Sequence, residues 1–360
     1  DPRPVFVFGC SAQSTHDPAT RSLSPPADLS IVQRRMKTRT LGSNGFEVGE
    51  VGLGCWQLGG TEFGPLDEET AHQILSAAKG SGSNFFDTAN VYGSGRSERL
   101  IGKFLREHGD GITVASKTGR EVYPDGYSEE NLRKSILESN EKLGLDCLDL
   151  VQLHCVPHSI LRGGAIFDWL RALKSEGLIR HFGASVESVE EGLTCLEHDD
   201  LLSLQVIFNP LRQKLIEELF PRAAEQGVGI IVRLPLASGL LSGKFTTETT
   251  FGKEDHRNFN RDGACFNVGE TFAGIPFEKG LQLADQLRPL VPEGMTMAQM
   301  SQRWILDFEA VSVIIPGASS PEQARENATV STLSPLSGEL HDTLRRFYLS
   351  NVHEHIRGPY

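Results

Sequence analysis

Leu148-Asp149-Leu150-Val151-Gln152-Leu153-His154 is too short and too apolar for a surface helix, and it ends on a histidine just before Cys155-Val156-Pro157. It reads as a strand buried on both faces. Seven other runs share its character: residues 51–53, 84–86, 112–115, 181–184, 204–208, 228–232 and 311–315. Gly, Pro, Asp or Asn bounds each of them. Amphipathic stretches lie between. Residues 67–78 place Ala71, Ile74, Leu75 and Ala78 at helical spacing, and residues 128–143 open on Ser128 and carry Leu132, Ile136, Leu137 and Leu143. Residues 165–174, 215–226 and 297–306 behave alike. The strand ends at Asp87, Lys117, His154 and Ser185 are 30, 37 and 31 residues apart, which is room for one strand and one crossover helix each. The pattern predicts an α/β fold, a single (β/α)8 TIM barrel over residues 36–360. A doubly wound sheet is the alternative, and the Gly-rich loop that would mark it is missing after the first strand.

Outside this rhythm lie four segments. Arg39-Thr40-Leu41 and Phe46-Glu47-Val48 flank Gly42-Ser43-Asn44-Gly45, a hairpin signal that predicts a plug at one end of the barrel. Residues 237–280, rich in Gly, Thr, Asn and Phe, predict a long loop over the C-terminal mouth. Residues 331–360 follow the last barrel helix and hold a helical pattern over 339–349. Both are expected to shape the substrate entrance. Residues 1–35 show no sustained periodicity and are expected to form a disordered extension outside the fold.

The chain has 360 residues, 39% hydrophobic and 23% charged, with a formal net charge of -12. That balance opposes a nucleic-acid partner, which needs a basic face. A phosphorylated cofactor still suits it, because helix N-termini and a few cations suffice. Six cysteines without paired spacing read as reduced thiols, and no apolar run reaches membrane-span length, so a cytoplasmic protein is expected.

Reactive groups of barrel enzymes gather at the C-terminal ends of the strands. Asp87, Lys117 and His154 fall there, with Tyr92 five residues beyond Asp87. A tyrosine titrates near ~10, and a neighbouring ammonium favours its phenolate. Lys117 is therefore expected to lower Tyr92, Asp87 to hold Lys117 charged, and His154 to direct a carbonyl oxygen toward Tyr92. Such a set lacks a nucleophile. It polarises a carbonyl and exchanges one proton, which leaves a hydride to come from a nicotinamide. Trp56, just after the first strand, is expected to line the substrate mouth. His154-Cys155-x-x-His158 is not read as a metal site, since neighbours on a strand face opposite ways.

Phe85-Phe86-Asp87-Thr88-Ala89-x-x-Tyr92-Gly93, Ser116-Lys117-Thr118-Gly119, Leu153-His154, Gln205, Pro235 through Lys244 and Ile315 through Gln323 together resemble the motifs of the aldo-keto reductase family, in the family's order. The resemblance runs from about Met36 to the C-terminus. It implies a barrel that binds NADP(H), with NAD(H) as the alternative, and interconverts a small carbonyl compound with its alcohol or sugar alcohol. It makes Tyr92 the acid/base, with Asp87, Lys117 and His154 completing a tetrad. For the cofactor it implies Ser185 and Gln205 at the carboxamide, Arg233 beside the nicotinamide, and Leu236, Gly239 and Lys244 near the pyrophosphate. Gly317, Ser319, Gln323 and Asn327 fall at the adenosine end, where the segment to Arg325 suggests a modest NADPH preference. A non-catalytic cofactor-binding regulatory subunit of the same fold is the other reading; a metal-dependent sugar isomerase lacks the necessary ligand cluster.

Overall fold

Ten strands account for the short apolar runs in the computed structural model, which describes residues 35–360. The expectation for residues 1–35 therefore falls, apart from Arg35, outside the described residues, as does Cys10. Strands β1 (Thr38–Thr40) and β2 (Glu47–Gly49) form the antiparallel hairpin. The other eight are β3 (Leu53–Gly54), β4 (Phe85–Asp87), β5 (Thr113–Thr118), β6 (Leu148–His154), β7 (Ile179–Ser185), β8 (Leu201–Ile207), β9 (Gly229–Arg233) and β10 (Val311–Ile314). They pair in parallel with their sequence neighbours throughout. Bridges from Val51 to Ile314 and from Gly54 to Gly317 join the first to the last. The result is a (β/α)8 barrel.

Alternation along each strand sorts the side chains into two cores. Phe86, Val114, Val151, Phe182, Ile230 and Ile314 face outward and pack with the helices. Phe85, Ala115, Leu150, Ile231 and Val313 face inward and form a separate cluster with Leu41 and Val48 of the hairpin. The hairpin is hydrogen-bonded to residues that precede strands: Ser43 N donates to Gly227 O, and Gly49 N to Asn84 Oδ1. It closes the N-terminal end of the barrel, as the sequence suggests.

Helices Glu68–Gly80, Glu129–Leu143, Ala165–Ser175 and Met297–Leu306 match the amphipathic stretches, with Asp67, Ser128 and Thr296 capping three of them. The stretch 215–226 is broken instead. A short 3-10 turn, Lys214–Ile216, precedes a helix that starts at Leu219, two residues before Pro221, because proline has no N–H to continue a helix from behind it. Helix Arg96–His108 has no counterpart in the sequence reading. It starts from Gly95, without a side-chain cap to announce it. The 237–280 excursion holds the 3-10 segment Ala237–Ser242 and the helix His256–Phe259, and runs into the helix Phe277–Leu287. Helix Gly338–Asn351 follows at the C-terminus. Among the described residues no helix is long and apolar enough to cross a membrane.

Candidate active site

Two residues further along the inward face, the apolar layer gives way to polar groups: Phe85 to Asp87, Ala115 to Lys117, Leu150 to Gln152 and His154, Ile231 to Arg233. Lys117 is fully buried and its ammonium has three acceptors. These are Asp87 Oδ1 at 2.5 Å, the Thr88 carbonyl at 2.8 Å and the Tyr92 hydroxyl at 3.3 Å. Burial is the largest influence and works against the charge on Lys117, but Asp87 and Tyr92 together outweigh it and the lysine titrates above its ordinary value. The other carboxylate oxygen of Asp87 accepts from Gln152 Nε2 at 2.9 Å and Gln205 Nε2 at 2.7 Å.

The sequence reading of Tyr92 needs correcting in one respect. Burial pushes its phenol above the ordinary tyrosine value, and Lys117 only partly offsets this. The ring is wedged between Trp56, stacked on it at 5.7 Å, and His154, edge-on at 5.9 Å, so water solvates a phenolate poorly there. Tyr92 is thus a protonated donor at neutral pH. His154 is held well below the usual imidazole range, first by burial and then by Arg120, Lys117 and Arg233. It is a neutral ring, and its Nδ1 is buried without a hydrogen-bond partner.

One cavity of about 420 Å³ is lined by every residue the sequence singled out for chemistry or cofactor except Arg325 and Lys117, the latter lying just behind Tyr92. Trp56 forms part of its wall and rests on Phe63, His256 and Phe266. Ser185 sits at the end of β7, beside His154 in register. Gln205 reaches the cavity too, although its amide nitrogen is committed to Asp87 and to Gln152 Oε1. Leu236, Gly239 and Lys244 follow β9. Gly239 has φ 101°, and a side chain there would collide with Phe245. Lys244 is exposed and makes no ion pair among the described residues. Gly317 abuts Gln57, where a Cβ would clash. Beyond it, Ser319 donates its N–H and its hydroxyl to Gln323 Oε1, and Asn327 Nδ2 donates to Gly317 O. Helix Pro321–Thr329 begins there, capped by Ser320.

Two expectations about this face change, and Arg233 is engaged by its neighbours. It lies 3.8 Å from Glu270, donates to Val186 O and approaches Cys155 Sγ at 3.7 Å. Cys155 has φ 52°, so the strand alternation stops at His154 and the thiol turns toward the mouth. Residues 331–360 contribute nothing to the cavity wall. They act on it at one remove, since Arg357 holds Gly274 O and Asp262 of the other excursion.

Gln152, Arg120 and Glu270 escape the sequence reading. Gln152 was within reach of it, two residues before His154 and therefore on the same face. Arg120 and Glu270 form a 2.5 Å ion pair across 150 residues of sequence, and no local pattern encodes such a contact. Glu270 pins the excursion to the barrel. Burial opposes its charge, but Arg120 and Arg233 hold it down at about 2. Glu187, next to it, is pushed up to about 7 by burial and by the Glu270 charge.

The family model described as aldo/keto reductase family matches residues 50–348. The aldo-keto reductase YhdN of Bacillus subtilis is 30% identical over 296 residues, covering 80% of this chain and 86% of its own. A protein of Escherichia coli named NADH-specific methylglyoxal reductase is 28% identical, covering 83% and 94%. A glycerol dehydrogenase structure from Gluconobacter oxydans superposes with a TM-score of 0.72 at 26% identity, covering 92% of this chain and 99% of that one.

Proposed function

The chain belongs to the aldo/keto reductase family of oxidoreductases, and from that premise we propose that it interconverts an aldehyde or ketone with its alcohol, using a nicotinamide cofactor and Tyr92 as the proton donor. One observation carries the reading: the Lys117 ammonium, fixed by Asp87, faces the hydroxyl of a protonated tyrosine that opens on the cavity.

In reduction, the Tyr92 hydroxyl gives its proton to the carbonyl oxygen. The phenolate left behind lies 3.3 Å from Lys117, which stabilises the charge as it develops. Asp87 keeps that ammonium charged and in place, and is itself fixed by Gln152 and Gln205. Neutral His154 offers a ring N–H to the same carbonyl oxygen and so aims it at Tyr92. Trp56 and Phe63 form the apolar wall that excludes water. A bound reduced nicotinamide supplies the hydride that no side chain can.

The residues present suit such a group. The cavity offers Ser185, Gln205 and Arg233 near Tyr92, an unpaired ammonium at Lys244 for a pyrophosphate, and a capped helix N-terminus beside Gln323 and Asn327. The Nε of Arg233 is buried without a partner, a donor left for a ligand. For the 2′-phosphate, Ser319 and Arg325 favour NADP(H). Two carboxylates oppose it, since Glu322 holds Arg325 at 3.4 Å and Glu326 lines the cavity. The proposed preference for NADP(H) is therefore small, roughly tenfold or 1.4 kcal/mol. The Escherichia coli relative's name shows that the family accommodates NADH.

The test is a panel of aldehydes, ketones and sugars followed by loss of NADPH absorbance, with wild type beside Tyr92→Phe. The variant should lose about 10²–10⁴ in turnover and keep its cofactor affinity. Turnover within tenfold of wild type would remove Tyr92 as the donor. Cofactor binding with no turnover of any compound by the wild type would favour the non-catalytic reading.

A further inference from the structure

On the outside of the barrel, away from the cavity, His72, Glu107 and His108 bring their side chains together. His72 lies on helix Glu68–Gly80, while Glu107 and His108 end helix Arg96–His108. Their ligand atoms all lie within 4.8 Å of one another. Glu107 Oε2 stands between the imidazoles, 3.3 Å from His72 Nε2 and 3.9 Å from His108 Nε2. We propose that these three side chains form a binding site for a divalent transition-metal ion, zinc above all, which ties the two helices together.

Ligand chemistry, distances and rigidity all support this site. Two imidazoles and one carboxylate are the donor set that suits zinc, whereas magnesium and calcium prefer oxygen alone. Zinc–ligand bonds of about 2.0–2.2 Å put tetrahedral neighbours roughly 3.3–3.6 Å apart, so the 3.3 Å edge between His72 and Glu107 already fits and His108, 3.9 Å from Glu107, has to move closer. The rings are not free to scatter. Phe104, buried in the core, packs edge-on against His72 at 5.4 Å and tilted against His108 at 5.1 Å. No other polar partner among the described residues engages the His72 ring, the His108 ring or the Glu107 carboxylate. The Lys79 ammonium donates to the carbonyl of His108. The exposure of Glu107 and His108 leaves a fourth position open to water.

The trio Cys155, Glu187 and Glu270 comes equally close but does not offer the same chemistry. Glu270 is neutralised by Arg120 and Arg233, and burial pushes the Cys155 thiol up to about 12.

Titration calorimetry of the metal-stripped full chain with zinc chloride tests the site. Wild type should bind one ion with micromolar affinity, and a Cys155→Ser, Cys265→Ser variant should match it. His72→Ala, His108→Ala and Glu107→Gln should each weaken binding roughly tenfold or more. All three ligands lie on the surface, so the variants keep their far-ultraviolet circular dichroism, and zinc in hundredfold excess over Kd should raise the melting temperature of wild type but not of His72→Ala. No one-site heat in wild type, or unchanged affinity in His72→Ala and His108→Ala, overturns the proposal.

Discussion

The two ends of the barrel are built from the same strands and differ in almost everything else. At the N-terminal end Phe85, Ala115, Leu150, Ile231 and Val313 meet Leu41 and Val48 in an apolar layer with regular backbone. Two residues on, the same faces carry polar groups: Asp87, Lys117 and Gln152 in one hydrogen-bonded network, Arg233 paired with Glu270, and His154 between them with its Nδ1 unpartnered. Backbone strain gathers at this second end. Ser94, Cys155, Leu234, Ala237, Ser238, Phe272 and Ala273 have positive φ without being glycine and lie in loops after strands or in the 237–280 excursion, whereas at the N-terminal end Asp200, just before β8, is the one such residue among the described residues. Each such residue costs on the order of 1–2 kcal/mol. The difference teaches that the stability of the apolar layer holds the reactive end in a geometry it would not adopt alone.

Strand β6 allows the sharpest break of this contrast, since Leu150 and Gln152 share one face. Leu150→Ala should lower stability by about 2–5 kcal/mol through the cavity it leaves, while the folded fraction keeps its turnover within about twofold. Gln152→Leu should cost less, about 1–3 kcal/mol, yet reduce turnover by roughly tenfold, because it removes a donor that orients Asp87. Denaturant melts and steady-state kinetics on the two variants decide it. Equal losses of turnover would mean that the two layers do not divide their work.

At the rim, Glu187 gives the next effect, and its sign can be worked out. Its folded value of about 7 lies above the ordinary glutamate value near ~4.3. Between those values the folded chain holds a proton that the unfolded chain has lost, so this group makes stability fall as pH rises through the interval. Glu270, held at about 2, acts only at lower pH, where its stabilisation is lost. Glu187→Gln should therefore flatten the decline in melting temperature between pH 5 and 8. A parallel pair of curves would relieve Glu187 of that role.

The smallest effect concerns the adenosine end of the cavity. In Ser319→Ala, Arg325→Ala the ratio of kcat/KM for NADPH over NADH should fall by up to about tenfold. An unchanged ratio, or an NADH preference in wild type, would mean that the phosphate does not sit there.

Much of this was legible in the sequence. All eight barrel strands could be read, because a strand buried on both faces must be a short apolar run. The cluster of Asp87, Tyr92, Lys117 and His154 could be picked out because each member ends such a run or follows one closely. Helix Arg96–His108 was hidden by the glycine at its start, and the break at Leu219 by a proline inside an otherwise helical pattern. The raised value of Tyr92 depends on Trp56 and His154 closing around it, and Trp56 and Tyr92 are 36 positions apart. Arg120, Glu187 and Glu270 owe their state to one another, across three separate loops. Charge networks of that kind come from tertiary packing and leave no period in the chain.

The anchoring of the 237–280 excursion has an evolutionary consequence. The proposed proton donor and its supports hang on β4, β5 and β6, while the groups that pack against Trp56 and Phe63 from the other side, among them His256 and Phe266, belong to the excursion. It is fastened at discrete points, through Glu270 to Arg120 and Arg233 and through Gly274 to Arg357. A lineage that keeps those fasteners can rewrite the residues between them, acquiring new substrates while the proposed machinery for moving the proton is inherited intact.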